Sequence, residues 1–512
     1  MSGASPARPL QAALLPWVIA VATGLEYFDN SLFSVFAVHI AGGVSASPDE
    51  LVWASSAYAV AAVLGIVQQQ WWVERLGYRR YVAACLGLFA LASLAALASE
   101  SSIQLAVARG AQGYLLGPMM GACRILLQLD FKPTERAVPT RIFLLLILLS
   151  SALAPLLGGA LIEQFGWRSL FACTALLAVL IIPAVLFAMP ASGQVHHSEQ
   201  GEAHLWPYFV FAGALMALQI AMQQSRFQLF GSAPQLEALA LVGLMLVGWF
   251  GWQQSRHPKP LVRVELMREP TFQVGLLLYM LYYYLSNALS YLSSRLLEGG
   301  LAYNVEHTGS LVGLTSLGSI AMLFVYFRYS GRVSNKKWLV VSGFVLAAVV
   351  AAWFSALPPD ASQGWLIAPL MLRGMLLLFI ALPVANITFR SFAADEFNHG
   401  YRIKNVFKQL TYSFSTTTVI TMEQHRSAVH WTRLAELTSL SREGVQGEID
   451  AMAQIFAHQG HSLAEGQAMA TAWLAQQVER QSTYLSLMDG FLFIVCLALC
   501  GGIFAAWQQR IR

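Results

Sequence analysis

The sequence predicts an all-α polytopic membrane protein: two six-helix halves related by pseudo-symmetry, plus two extra central transmembrane helices. Three observations predict it. Hydrophobic residues make up 57% of the 512-residue chain and charged residues 11%, against roughly 25% charged in a soluble domain. Apolar stretches of about 20 residues, the length that crosses a bilayer, recur from one end of the chain to the other. A basic connection after the second stretch, WVERLGYRRYV, has a degenerate echo after the tenth, FRYSGRVSNKKWL, at equivalent points of two six-span halves.

Hydropathy places fourteen spans. The first six cover about 14–38, 51–73, 80–98, 103–127, 140–161 and 168–189, and form an N-terminal half, 14–189. Two more, about 206–224 and 236–253, lie in a linking region, 190–271, whose polar stretch SGQVHHSEQGEAH reads as a solvated linker. His196, His197 and His204 in that stretch are expected to be solvated rather than to hold a metal. The last six spans cover about 272–294, 308–327, 338–356, 365–389, 403–424 and 484–507 and form the C-terminal half, 272–507. Inside that half, residues 425–483 form a polar insert between spans thirteen and fourteen. Two helices are expected in it, broken near His458–His461, with Ser462 and Glu465 as a capping box opening the second.

Lysine and arginine fix the orientation. With the N-terminus inside, the inner connections carry Arg75, Arg79 and Arg80; Lys132, Arg136 and Arg141; Arg256, Lys259, Arg263 and Arg268; Arg328, Arg332, Lys336 and Lys337; and Arg390, Arg402 and Lys404. Arg8, Arg510 and Arg512 add to them at the termini. The short outer connections carry Arg168, Arg226 and Arg295. The positive-inside rule therefore puts both termini in the cytoplasm. The first segment has no small-residue cleavage site before its acidic residues, so it reads as a retained span rather than a signal peptide.

Composition also narrows the function classes. The formal charge of +4 is too small to imply nucleic acid. Cys85, Cys123, Cys173, Cys496 and Cys500 all fall in apolar segments, and no pair has zinc-ligand spacing. No phosphate-cradling glycine loop and no nucleophile with a base stand out, so neither an enzyme nor a cofactor or metal is expected. The residues that do demand explanation are ionisable ones at membrane depth, which cost several kcal/mol and commonly serve ion or proton movement. Glu26 and Asp29 in span one lie three residues apart, on nearly one helix face. Arg109 in span four needs an anionic partner, and either carboxylate would serve. Halves of this kind are a common build of secondary transporters, with the substrate site between them near the midplane.

Several segments resemble motifs of the major facilitator superfamily, specifically its fourteen-span drug:proton antiporters of the EmrB/QacA type. Glu74-Arg75-Leu76-Gly77-Tyr78-Arg79-Arg80 resembles the family's D-R-x-G-R-R-R gating loop, with Gln70 where a glycine leads the motif and Tyr78 replacing an arginine. Arg109, Gln112 and Gly113 resemble R-x-x-Q-G. Pro155, Gly158 and Gly159 resemble the antiporter motif G-P-x-x-G-G, with Ala154 at its first position. Asn405, Lys408 and Gln409 resemble N-x-x-R-Q, with lysine for arginine.

The resemblance implies proton-coupled export of hydrophobic or amphipathic small molecules across a bacterial inner membrane. Asp29, Glu26 and Arg109 would then serve proton coupling. It further implies that the insert, whose His425-Arg426…His430…Leu434 opening is similar to that of adaptor-linked members, meets a periplasmic adaptor and an outer-membrane channel. Candidates for the substrate cavity are Gln112, Tyr279, Tyr283, Asn287, Arg373, Asn405, Lys408 and Gln409. The alternatives are a dedicated exporter of one metabolite or a fatty acid and, further off, a membrane-embedded enzyme or a non-transporting sensor.

Overall fold

The computed structural model describes residues 9–132, 134–190, 205–225, 234–258, 260, 262–329, 332–333, 335–390, 392, 394–438, 443–459 and 462–509. The three histidines of the central linker lie outside these residues, as do Arg8, Arg226, Lys259, Arg510 and Arg512 of the orientation argument.

Among the described residues the chain is helical and without strands, as alternating apolar spans and short polar turns require. The first half contains α1 (Pro9–Val35), the short α2 (Ala37–Gly43), α3 (Pro48–Leu97), α4 (Ser102–Leu116), α5 (Met119–Asp130), α6 (Ala137–Phe165) and α7 (Arg168–Ala188). Two helices follow, α8 (Leu205–Ser225) and α9 (Pro234–Arg256). The second half contains α10 (Pro270–Arg295), α11 (Val305–Tyr329), α12 (Lys336–Ser355), α13 (Gln363–Gly374), α14 (Leu382–Thr388), α15 (Ala394–Leu437), α16 (Glu443–His458) and α17 (Leu463–Trp507).

Nine of the described helical stretches are long and apolar enough to cross a membrane. The remaining expected spans map onto the second part of α3, the α4–α5 pair, α8, α10 and α15. Those last two are the tyrosine-rich and lysine-bearing helices, and their polar residues face protein rather than lipid: Tyr279, Tyr282, Tyr283, Lys404 and Lys408 are all buried.

Three irregularities have local causes. α3 holds two spans across a bend at Gly77, whose φ of 74° lies in the region that only glycine adopts without strain. The fourth span breaks at Pro118, which caps α5 and supplies no N–H of its own. The twelfth span passes from α13 through a π turn, Leu377–Ala381, into α14 just before Pro383. Capping boxes at Ser47/Glu50 and Ser462/Glu465 fix the starts of α3 and α17.

Each half has its own apolar core. Leu15, Phe89, Leu116 and Phe143 pack within the first, and Leu285, Phe344, Phe354 and Phe491 within the second. α8 and α9 pack on each other, and their aromatic residues Tyr208, Phe211 and Phe250 join Val60 of α3 and Phe272 of α10 in a cluster that bridges the halves. The halves also meet directly where α6 crosses α11. A side-chain carbon at Gly159 would stand 3.1 Å from the backbone of Val305 and Glu306, and one at Gly309 or Gly313 would run into α6, whereas Gly158 makes room for Leu32 of α1 and Phe36 just beyond it.

The insert has its expected break, between the end of α16 at His458 and the Ser462-capped start of α17, and the flanking spans continue into it as helices. α15 runs unbroken through the expected boundary at residue 424 to Leu437, and α17 runs unbroken from Leu463 into span fourteen. No proline interrupts either stretch, so both spans extend as helices beyond the apolar region. The one added helix is α16, whose Ile449 and Ala453 pack on Ala470 of α17. At the base, Asp489 accepts from Arg426 at 2.6 Å and contacts His430 at 2.7 Å, tying α17 to α15.

Candidate functional site

Two buried ion pairs start from α1. Asp29, 2% exposed, lies 2.7 Å from the guanidinium of Arg109 on α4. The same Arg109 nitrogen donates to Gln112 at 2.8 Å, and Gln112 in turn donates to Ser93 at 2.8 Å. The rings of Phe33 and Tyr58 lie 4.2 and 4.5 Å from the guanidinium carbon, so the cation is held by aromatic faces as well as by its carboxylate. This network is confined to the first half.

The second pair spans the halves. Glu26, fully buried, accepts from Lys408 Nζ of α15 at 2.9 Å and from Gln409 at 3.4 Å. Its other oxygen accepts from the backbone N–H of Met120 at 3.3 Å. That N–H is free because Met120 lies in the first turn of α5, just past the break at Pro118, where helical donors have no intrahelical partner. The Tyr27 ring stands 4.5 Å from Lys408 Nζ. Arg109 therefore serves Asp29, while Glu26 has a cation of its own.

A cavity of about 280 Å³ opens between the halves beside both pairs. Arg109, Lys408, Gln409, Asn287, Tyr282, Tyr291 and Arg373 contribute to its wall, with Phe33, Leu51, Ile147 and Val312 as apolar surface. Four expected cavity residues stand elsewhere. Gln112 is sequestered under Arg109. Tyr279 and Tyr283 stack on each other at 5.8 Å, turned toward Lys404. Asn405 faces the α5 crossing near Gly121, and its amide has no hydrogen-bond partner among the described residues.

Charged contacts lie toward both ends of the helical bundle. Toward the N-terminal end of α1, the resemblance to a gating loop acquires a geometry. Glu74 accepts from Gln70 at 2.6 Å, so Gln70 is not an idle replacement for glycine. Arg75 stacks 3.7 Å over Trp71. Arg402 of α15 is buried within electrostatic reach of Glu74 and Tyr78. Arg79 and Arg80 follow the Gly77 bend at the start of the next span.

At the opposite end, His39 of α2 lies 3.7 Å from Glu298, in the connection after α10. Nearby, Glu423 accepts from Arg295 and from Tyr291, both at 2.8 Å. Lys404, Arg402 and Glu423 were all missed as site residues. The available signal was that each is a charge inside or at the edge of span thirteen.

The far-end contact carries a pH prediction. Burial pushes Glu298 up from its ordinary 4.5 to about 7, against the pull of Arg295, and burial lowers His39. The closed arrangement thus holds the Glu298 proton more tightly than an opened, hydrated one would. Through Glu298 the contact is favoured below about pH 4.5 and weakens as pH rises through about 7, while the lowered His39 acts in the opposite sense. Spin labels at Gly42→Cys and Leu301→Cys should report a longer mean distance at pH 8 than at pH 5.5. Glu298→Gln should remove most of that pH dependence; an unchanged dependence would assign it to another group.

Comparison with known proteins follows from this architecture. The family model described as Major Facilitator Superfamily matches residues 19–416. The chain belongs to the major facilitator superfamily. It is a multi-pass membrane transporter of that family. It is 21% identical over 505 residues to the multidrug export protein EmrB of Escherichia coli K12, covering 98% of this chain and 96% of that one. It is 23% identical over 441 residues to the fatty acid resistance protein FarB of Neisseria gonorrhoeae, covering 84% of each.

Among solved structures, a bacterial homologue of the human lysosomal transporter Spinster, inward-facing and unoccupied, superposes with a TM-score of 0.62 at 13% identity over 98% of both chains. The human organic anion transporter MFSD10 superposes with a TM-score of 0.57 at 13% identity, covering 96% of this chain and 100% of that one. At these identities the likeness concerns the fold.

Proposed function

We propose that this transporter exports hydrophobic or amphipathic small molecules across a bacterial inner membrane in exchange for protons, as the pump of a tripartite efflux system. The observation that carries the reading is the pair of buried carboxylates, Asp29 and Glu26, each held by a cation at the wall of the inter-half cavity. A carboxylate so placed exchanges its cation for a proton at little steric cost, which is what coupling requires. Asp29 is the proton site in this reading, with Arg109 as its partner cation. Glu26 and Lys408 form the contact that must loosen when the halves rock. The names of the relatives EmrB and FarB support export of this kind. The FarB name also supports the narrower reading, a dedicated exporter of a fatty acid.

Everted vesicles test the coupling. Asp29→Asn is nearly isosteric and removes only the titrating group. It is expected to abolish dye accumulation driven by an imposed pH gradient while leaving protein level and detergent elution profile unchanged. Normal gradient-driven accumulation would exclude Asp29 as the proton site.

The lysine and arginine distribution supports cytoplasmic termini and, with them, a periplasmic position for α16 and the extended ends of α15 and α17. Exposed Trp431, Leu437, Ile455, Leu463 and Trp473 give that hairpin an apolar surface suited to an adaptor protein. Ser427 and Ser482 face each other at 3.4 Å, so the two long helices run side by side there. Replacing 439–471 with a short Gly-Ser turn should therefore keep the transporter folded. Vesicle transport is expected to persist and whole-cell resistance to fall to that of cells lacking the protein. Full protection of cells by the shortened protein would make the hairpin a spacer and remove the adaptor from the scheme.

A further inference from the structure

The cavity wall carries three cations, Arg109, Lys408 and Arg373, and among its lining residues there is no carboxylate. Two of the cations are committed, Arg109 to Asp29 and Lys408 to Glu26. Arg373 is different. It sits in the last turn of α13, just before the π turn of that span, and donates to the hydroxyl of Ser293 at 2.6 Å. Among the described residues no acidic group lies within ion-pair distance of it. A guanidinium at membrane depth beside a hydroxyl is an incompletely compensated charge, and it faces empty space large enough for part of a small molecule.

The rest of the wall says what else that molecule must carry. The same wall carries the polar side chains of Ser316, Ser319 and Asn287 and the apolar ones of Leu377, Val312 and Ile147. The guanidinium suits an oxyanion, since its fork of N–H donors matches paired oxygens, whereas Ser316, Ser319 and Asn287 already donate to Val312, Met371 and Thr416. The apolar remainder suits a hydrocarbon body. A further buried cation is Lys404, 2% exposed, enclosed by Tyr401, Tyr279 and Tyr283 at 4.3, 5.5 and 5.7 Å.

We propose that Arg373 is the anchor of an anion site in the central cavity, and that the preferred cargo is an amphipathic organic anion, a carboxylate or sulfonate on an apolar body. This deepens the export reading and rests on its assignment of the cavity as the cargo site. It does not rest on proton coupling.

The test uses the intact protein in phosphatidylcholine nanodiscs with no gradient. Two radiolabelled probes share a tail and differ in fixed charge, dodecanesulfonate and dodecyltrimethylammonium, and empty discs correct for partitioning. The wild-type protein should bind the sulfonate at least about tenfold more tightly than the ammonium probe. Arg373→Met should erase that preference while retaining the ammonium probe, and Arg373→Lys should keep part of it. Equal affinities for the two probes in the wild type, or an undiminished preference in Arg373→Met, overturns the proposal.

Should Arg373→Met fail to fold, the wild-type comparison and Arg373→Lys decide. Sulfonate binding that survives added phosphatidylglycerol marks cargo as the occupant. Displacement by that lipid marks a headgroup site and overturns the cargo assignment. An anion-selective protein that shows no pH-driven transport would sink the coupling scheme and leave this site standing; proton-driven transport with no anion preference would do the reverse.

Discussion

Arg109→Ala is expected to stop gradient-driven transport almost completely. In the wild type the guanidinium satisfies Asp29 at 2.7 Å and Gln112 at 2.8 Å, between the faces of Phe33 and Tyr58. Its removal strands a carboxylate that is 2% exposed, and a stranded buried charge costs about 3–5 kcal/mol. Without the cation that competes with a proton for Asp29, proton binding is no longer tied to the arrangement of the halves, and the gradient drives nothing. Loss of drive is therefore expected without loss of fold. Gradient-independent exchange of labelled for unlabelled dye should continue where net accumulation fails. Arg109→Lys should recover only part of the activity, because one ammonium cannot reproduce the flat fork that reaches both Asp29 and Gln112. Accumulation at the wild-type rate by Arg109→Ala would show that Asp29 does not depend on this pairing.

How far this site could be read in advance depended on distance along the chain. The spans were legible because apolar length is a local property, and the bend at Gly77 and the cap at Ser462 were legible because turn chemistry is local too. That Arg109 required a carboxylate in span one followed from burial alone. Which carboxylate it takes did not follow: Glu26 and Asp29 share a helix face, and the choice is made by a second cation 382 residues from Glu26. A lysine in span thirteen is an obvious debtor for a negative charge, yet the sequence contains no measure of how α1 and α15 are rotated against each other. The same ignorance of rotation misplaced Tyr279 and Tyr283, which stack beside Lys404 instead of lining the cavity. The insert's break and cap were legible, but the reach of the helices that flank it was not. Helical polar sequence does not announce where a span ends, so α15 and α17 were cut at the limit of apolarity when their backbones continue.

The largest non-additive effect is expected at Glu26 and Lys408. Each single neutral variant leaves one charge in a site where neither partner is more than 2% exposed, so Lys408→Met and Glu26→Gln should each destabilise the protein, by about 3–5 kcal/mol if the remaining charge persists. The double variant leaves no charge to compensate, and replacing a buried pair whole is often close to neutral. Thermal unfolding in detergent should thus find the double variant more stable than Lys408→Met alone, its loss falling well short of the sum of the two single losses.

Transport should not recover in parallel. The pair joins α1 to α15 across the halves, so without it the halves lose a contact that holds them in register. Substrate is then expected to leak through the double variant down its own gradient, with little response to an imposed pH difference. Lys408→Arg keeps a cation opposite Glu26 and restores the arginine of the family's motif, so it should remain coupled. If the two single changes add simply in stability, and the double variant stays fully coupled, then Glu26 and Lys408 are separate buried charges and the lock between the halves lies elsewhere, at Arg402 beside Glu74 or at the His39–Glu298 contact.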